Sequence, residues 1–294
     1  MHGQATTGIY LRLVVVPAIW GGTFIAGRIL ALAVTPAIGS LLRYAAASAA
    51  LLVAALAVEG RLPRLDRRQF LATVALGATG VFAYNLFFLG ALSRLPASRG
   101  SLIVALNPVV TITAAAWLFG ERMSPRRWAG VALALAGVWI VVTRGDPRQL
   151  FAGAIGAGEL MMFGAVCCWA AYTLIGRGIR GLTPLAATTY ASLFGTVLLA
   201  LAAAPALPGF DPAAITVGVI GAVLYLGVLG TAVAFVWYYR AVQVLGPART
   251  VIFNNLVPVF GATFGVVLLG EPLSASMVVG GALAVGGVML VSRG

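Results

Sequence analysis

Few groups in this chain could do chemistry, and the clearest are amides set beside prolines. Asn107 directly precedes Pro108, and Asn254-Asn255 shortly precede Pro258. A proline inside a helix supplies no backbone donor and frees the carbonyl four residues back, here Val104 and Asn254. Such carbonyls and amides could hold an ammonium and a carboxylate, which is recognition rather than bond breaking. The alternative is that the asparagines tie helices together and the prolines only kink them. Asn254 and Asn255 are adjacent and cannot both point the same way.

Trp20 and Trp169 sit in the middle of their apolar segments, where an indole donor needs a partner and a flat ring could stack on a cargo. With Tyr84 and Asn85 they complete an expected substrate-binding lining of Trp20, Tyr84, Asn85, Asn107, Trp169, Asn254 and Asn255. Packing between helices is the competing account of the tryptophans. Arg43 lies seven residues beyond Pro36, about 10 Å along a helix, too deep to snorkel easily. It either pairs with carbonyls or lines a cavity. Ala191 at the corresponding later position favours a structural role.

The rest of the titratable set excludes more than it offers. There is no Asp pair, no Ser-His arrangement within the apolar segments, and His2 is the sole histidine. Cys167 and Cys168 are adjacent and lack metal-ligand spacing, so no metal or other cofactor is expected, and no enzyme. Glu159 is the only carboxylate near an apolar segment, which leaves little for a proton relay.

These residues need elements to position them, and composition names the class. The 294 residues are 61% hydrophobic and 9% charged, with a mean hydropathy of +1.04, which reads as an all-α polytopic membrane protein. All 19 basic residues are Arg and nearly all fall between apolar segments, so the net charge of +12 reports orientation in a lipid bilayer and not a nucleic-acid surface. Ten segments long enough to cross run Ile9–Ala33, Pro36–Val58, Phe70–Leu92, Ser98–Phe119, Arg127–Thr143, Gly158–Gly176, Pro184–Ala204, Ala213–Tyr239, Ala248–Leu269 and Ala275–Ser292. Tyr10, Trp117, Trp128, Trp237, Tyr238 and Tyr239 fall at segment ends beside arginines and read as an interfacial belt.

The chain also repeats itself. Arg99, Pro108, Thr113, Gly120, Glu121, Ser124, Gly130 and Gly137 return as Arg249, Pro258, Thr263, Gly270, Glu271, Ser274, Gly280 and Gly287. Two five-span units are expected, 1–145 and 146–294, together one membrane domain. An odd number of spans forces the second unit to enter from the opposite side. With both termini inside, thirteen arginines fall inside, five outside, and Arg43 stays within a segment. Pro108, Pro258, Glu121 and Glu271 are expected in structural or gating roles, the two Gly-Glu turns at opposite faces. The first segment has a cleavage-like Ala31-Leu32-Ala33, but its Trp20-Gly-Gly and Pro36 are echoed by Trp169 and Pro184, so it belongs to the repeat.

The inverted five-plus-five layout, Trp20-Gly-Gly, Pro36 with Arg43, and Pro108 or Pro258 followed by Leu-x-Gly-Glu resemble the EamA-type branch of the drug/metabolite transporter superfamily. The aromatic amino-acid exporters of the YddG type are the members it is most similar to. The resemblance implies a secondary transporter of the bacterial inner membrane with both termini cytoplasmic, a small-molecule substrate, and alternating access through a central cavity. It also implies export of amino acids, aromatic or other apolar ones, with drugs, purines or other metabolites as the alternative cargoes. A passive channel or facilitator is the alternative of another class. The small-residue runs call for no oligomer, and a monomer is expected.

Overall fold

The computed structural model describes residues 2–120, 123–146, 148, 155–245, 250 and 252–293. Among them there is no strand. Nine helices are long and apolar enough to cross a membrane, and a shorter apolar helix, Phe253–Leu269, makes the tenth crossing segment.

Helix α1 (His2–Ala33) leads into α2 (Pro36–Glu59). Thr35 caps α2 with its hydroxyl 3.4 Å from the Ile38 amide, and Pro36 opens the helix where a missing donor costs nothing. The third crossing segment begins with α3 (Arg67–Leu76), behind a capping box in which Asp66 accepts from the Gln69 amide at 2.8 Å. It widens into a π-helical stretch, Gly77–Ala83, and resumes as α4 (Tyr84–Leu92). The fourth is broken into α5 (Ala97–Val104) and α6 (Asn107–Phe119), where Pro108 removes a ladder donor. Helix α7 (Pro125–Thr143) follows.

The second half begins with α8 (Ala157–Arg177) and α9 (Pro184–Ala203), the latter capped by Thr183 ahead of Pro184 as Thr35 caps α2. Two 3-10 turns, Ala204–Gly209 and Pro212–Ala214, lead to α10 (Val217–Leu224), a second π-helical stretch at Tyr225–Val233, and α11 (Ala234–Leu245). A 3-10 stretch, Ile252–Leu256, then precedes α12 (Val257–Leu269) and α13 (Ala275–Arg293).

Leu-x-Gly-Glu-x-x-Ser thereby acquires a local meaning. Gly120 and Gly270 end α6 and α12 at φ 66° and 65°, a left-handed conformation that glycine adopts without a Cβ penalty. Ser124 and Ser274 then cap α7 and α13, accepting from Arg127 and Met277 amides at 3.2 Å each. The motif is a stop followed by a start. Glu121 lies outside the described residues.

Two departures from the expected elements matter. The third and eighth segments were each expected as one regular helix, yet both widen in the middle. Nothing in a hydropathy pattern marks a π turn, since one extra residue per turn leaves an all-apolar window unchanged. Helices α7 and α13 meet closely, because a Cβ on Gly137 would stand 2.3 Å from the Ala284 nitrogen and one on Gly287 2.4 Å from the Ala134 nitrogen. Small residues let these backbones touch, which is how helices associate without a hydrophobic driving force.

Candidate functional site

A cavity of about 550 Å³ lies among these helices. That volume is in the range of small-molecule sites. Its wall takes residues from both halves: Trp20 from α1, Arg43 and Tyr44 from α2, Tyr84 from α4, Asn107 and Thr111 from α6, Trp169 and Tyr172 from α8, and Tyr238 from α11. Asn254 and Asn255 from the 3-10 stretch before α12, and Ser292 close to the C-terminus, complete it. The cavity thus extends toward the end of the bundle where the chain finishes. The N-terminal part of α1 packs against α11, with Arg12 5.7 Å from the Trp237 ring.

Two aromatic groups face this space. Trp169 stands 5.6 Å from Tyr84 and stacks on Tyr172 at 5.4 Å, while Tyr84 in turn stacks on Phe88 at 5.6 Å. Trp20 lies 5.4 Å from Tyr238 and 5.8 Å from Phe235. Its indole nitrogen donates to the Gly230 carbonyl at 2.9 Å. That carbonyl lies in the second π-helical stretch, where the wider turn loosens the usual ladder. Both tryptophans are thus packed against other rings and line the cavity.

The polar groups are few and partly unsatisfied. Asn254 donates from Nδ2 to the Tyr238 hydroxyl at 3.4 Å, but its Oδ1 is buried with no hydrogen-bond partner among the described residues. Asn107 Oδ1 is in the same condition. Asn255, nearly buried, is on the wall as well. A buried acceptor left unmade costs about 1–3 kcal/mol, so such groups call for a water or a ligand.

Six of the seven residues expected to bind substrate thus surround one cavity. Asn85 does not. It is fully buried, its Nδ2 donates to the Val81 carbonyl at 2.6 Å, and its Oδ1 accepts from Arg43 Nη1 at 2.8 Å. The first π-helical stretch supplies that carbonyl, so both ends of the Asn85 amide are engaged and the residue is absent from the cavity wall.

Tyr238 corrects the sequence reading in the other direction. It was expected in an interfacial belt and instead packs inward against Trp20. Trp117 and Trp128, expected in the same belt, are 84% and 53% exposed. The side chains of Tyr10 and Tyr239 lie outside the described residues. Tyr172, Tyr44 and Thr111 were not singled out at all; a stripe at helical spacing was the only available signal, and in so apolar a chain it resembles ordinary packing.

Away from the cavity wall, charged groups tie several helices together. Arg99 Nη2 meets Glu159 Oε1 at 2.8 Å and donates to the Val142 carbonyl at 2.6 Å. Glu271 accepts the Ala97 and Ser98 amides at 2.7 and 2.8 Å, and the Ser98 hydroxyl besides. A carboxylate there satisfies the orphan donors at the N-terminus of α5 and complements its dipole. Glu271 therefore joins the last turn of one half to a broken helix of the other.

Comparison with known proteins gives these features a setting. The EamA-like transporter family matches residues 7–143 and again residues 156–293. "Uncharacterized transporter YyaM" of Bacillus subtilis is 28% identical over 97% of this chain and 93% of its own length. "Probable terminal-alkyne amino-acid exporter" of Streptantibioticus cattleyicolor is 33% identical over 86% of this chain and 83% of its own. A crystal structure shares the fold with a TM-score of 0.68 at 23% identity, covering 97% of this chain and 98% of that one.

Proposed function

The chain belongs to the EamA-like transporter family, and from that premise we propose that it moves amino acids with aromatic or other apolar side chains through the central cavity by alternating access. The observation that carries this reading is the wall itself: Trp20, Tyr84 and Trp169 beside the unpartnered amide oxygens of Asn107 and Asn254. Rings can take an apolar side chain, and amide oxygens can accept from an ammonium group. The relative named for export of a terminal-alkyne amino acid supports the cargo class and the outward direction.

The architecture proposed for this task is two inverted five-helix units, 1–145 and 146–294. It is supported by the two family matches, by π-helical stretches in the third span of each half, and by reciprocal contacts. Gly130 meets Gly287 and Gly137 meets Gly280, positions that exchange under the 150-residue offset, as contacts across a two-fold axis do. Location in a bacterial inner membrane, with both termini cytoplasmic, is favoured by the distribution of arginines. In that setting we read the cavity as facing the cytoplasm, with the contacts of Glu271 and of the Arg99–Glu159 pair toward the outer side.

Among the described residues no carboxylate lines the cavity wall, which leaves little there to carry protons. We read transport as movement down the cargo's own gradient. An uptake panel in proteoliposomes, covering the twenty amino acids, nucleosides and cationic drugs, tests the assignment. Phenylalanine, tryptophan and leucine should enter fastest without a pH gradient; uptake confined to nucleosides or drugs would refute the amino-acid reading.

A further inference from the structure

Arg43 is the most unusual group in the molecule. It lies inside a crossing helix, is only 7% exposed, and lines the cavity. One face of its guanidinium is held: Nη1 donates to Asn85, and the Tyr44 and Phe88 rings lie 5.4 and 5.8 Å from its central carbon. Its Nε is buried and has no hydrogen-bond partner among the described residues. The one ion pair among the described residues, Arg99–Glu159, is elsewhere. A guanidinium stays protonated and offers a fork of donors matched to a carboxylate. Its neighbours here are an amide and two rings, which orient it, and no carboxylate pairs with it among the described residues.

We propose that Arg43 is the receptor for a carboxylate carried by the cargo, and that Asn85 is the residue that positions it. The cavity then selects small amphipathic carboxylates, with the apolar part against Tyr84 and Trp169. For an amino acid the ammonium goes to the free amide oxygens of Asn107 or Asn254. This rests on the transport reading above, yet it makes a narrower demand: the acid group is recognised whether or not an amine accompanies it.

Matched pairs of probes separate the two. The detergent-purified full chain is titrated with L-phenylalanine against L-phenylalaninamide, and with 3-phenylpropionate against 3-phenylpropionamide, and binding is read from ligand-induced thermal shifts. Each acid should bind about tenfold or more tighter than its amide, as loss of a charge-assisted fork requires. Arg43→Gln should erase that preference and Arg43→Lys should keep part of it. Asn85→Ala should weaken both acids together. If 3-phenylpropionate shows the Arg43-dependent preference and phenylalanine does not bind, the anchor stands and the amino-acid assignment falls. If amides bind as well as acids, if no probe binds, or if Arg43→Gln retains the preference, the anchor is overturned. Should Arg43→Gln fail to fold, the acid-over-amide ratio of the wild-type chain and of Arg43→Lys still decides.

Discussion

Single side chains carry recognition here, and they differ in how far the sequence announced them. Trp20 and Trp169 were visible because indoles are scarce in the middle of apolar spans, and both reach the cavity wall. Removing a ring that helps to line the cavity should raise the half-saturation concentration by about tenfold, the scale of an aromatic contact plus its buried area. Initial rates for Trp169→Ala in proteoliposomes measure this. An unchanged value would assign the ring to packing. Asn85 was legible as a polar group but not as a supporting one, because sequence gives no direction to a side chain on an all-apolar helix. Tyr238 failed the opposite way: proximity to Arg240 looked interfacial, while the bundle turned the ring toward Trp20. Arg43 could be placed in depth by counting residues, but its unpaired Nε is visible only in three dimensions.

At the scale of elements, breaks and close contacts do the positioning. The proline rule located the α5–α6 break correctly, since loss of one donor acts through local geometry. Neither π-helical stretch was legible, and one of them supplies the carbonyl that receives Trp20. Glu271 was read as part of a turn, and the structure adds that it caps α5 from the other half. Glu271→Gln should lower stability by about 1 kcal/mol, the usual value of a lost cap, and loosen its hold on α5. Thermal unfolding together with thiol labelling of Ser98→Cys checks both, with faster labelling expected in the Gln background. Gly137→Ala would set a Cβ against the Ala284 backbone and force α7 from α13. A loss of about 1–3 kcal/mol is expected, the cost of overpacking, read as a lower unfolding temperature.

For the whole molecule, composition settled the membrane class and the motif spacing pointed to two halves, since burial in lipid and the charge of arginines act on long stretches. Topology adds its own expectation: a tag on either terminus should react only after the cytoplasmic face is exposed. The cavity required the assembled bundle, because its wall comes from helices far apart in sequence. The central claim is that this cavity is the binding site of a carrier that opens to one side at a time. Counterflow of labelled L-phenylalanine in proteoliposomes tests it most directly. Preloading with unlabelled L-phenylalanine should accelerate entry of label several-fold, and Trp20→Ala with Trp169→Ala should abolish the acceleration. Entry of label that is indifferent to the preload, or acceleration that survives both substitutions, would contradict it.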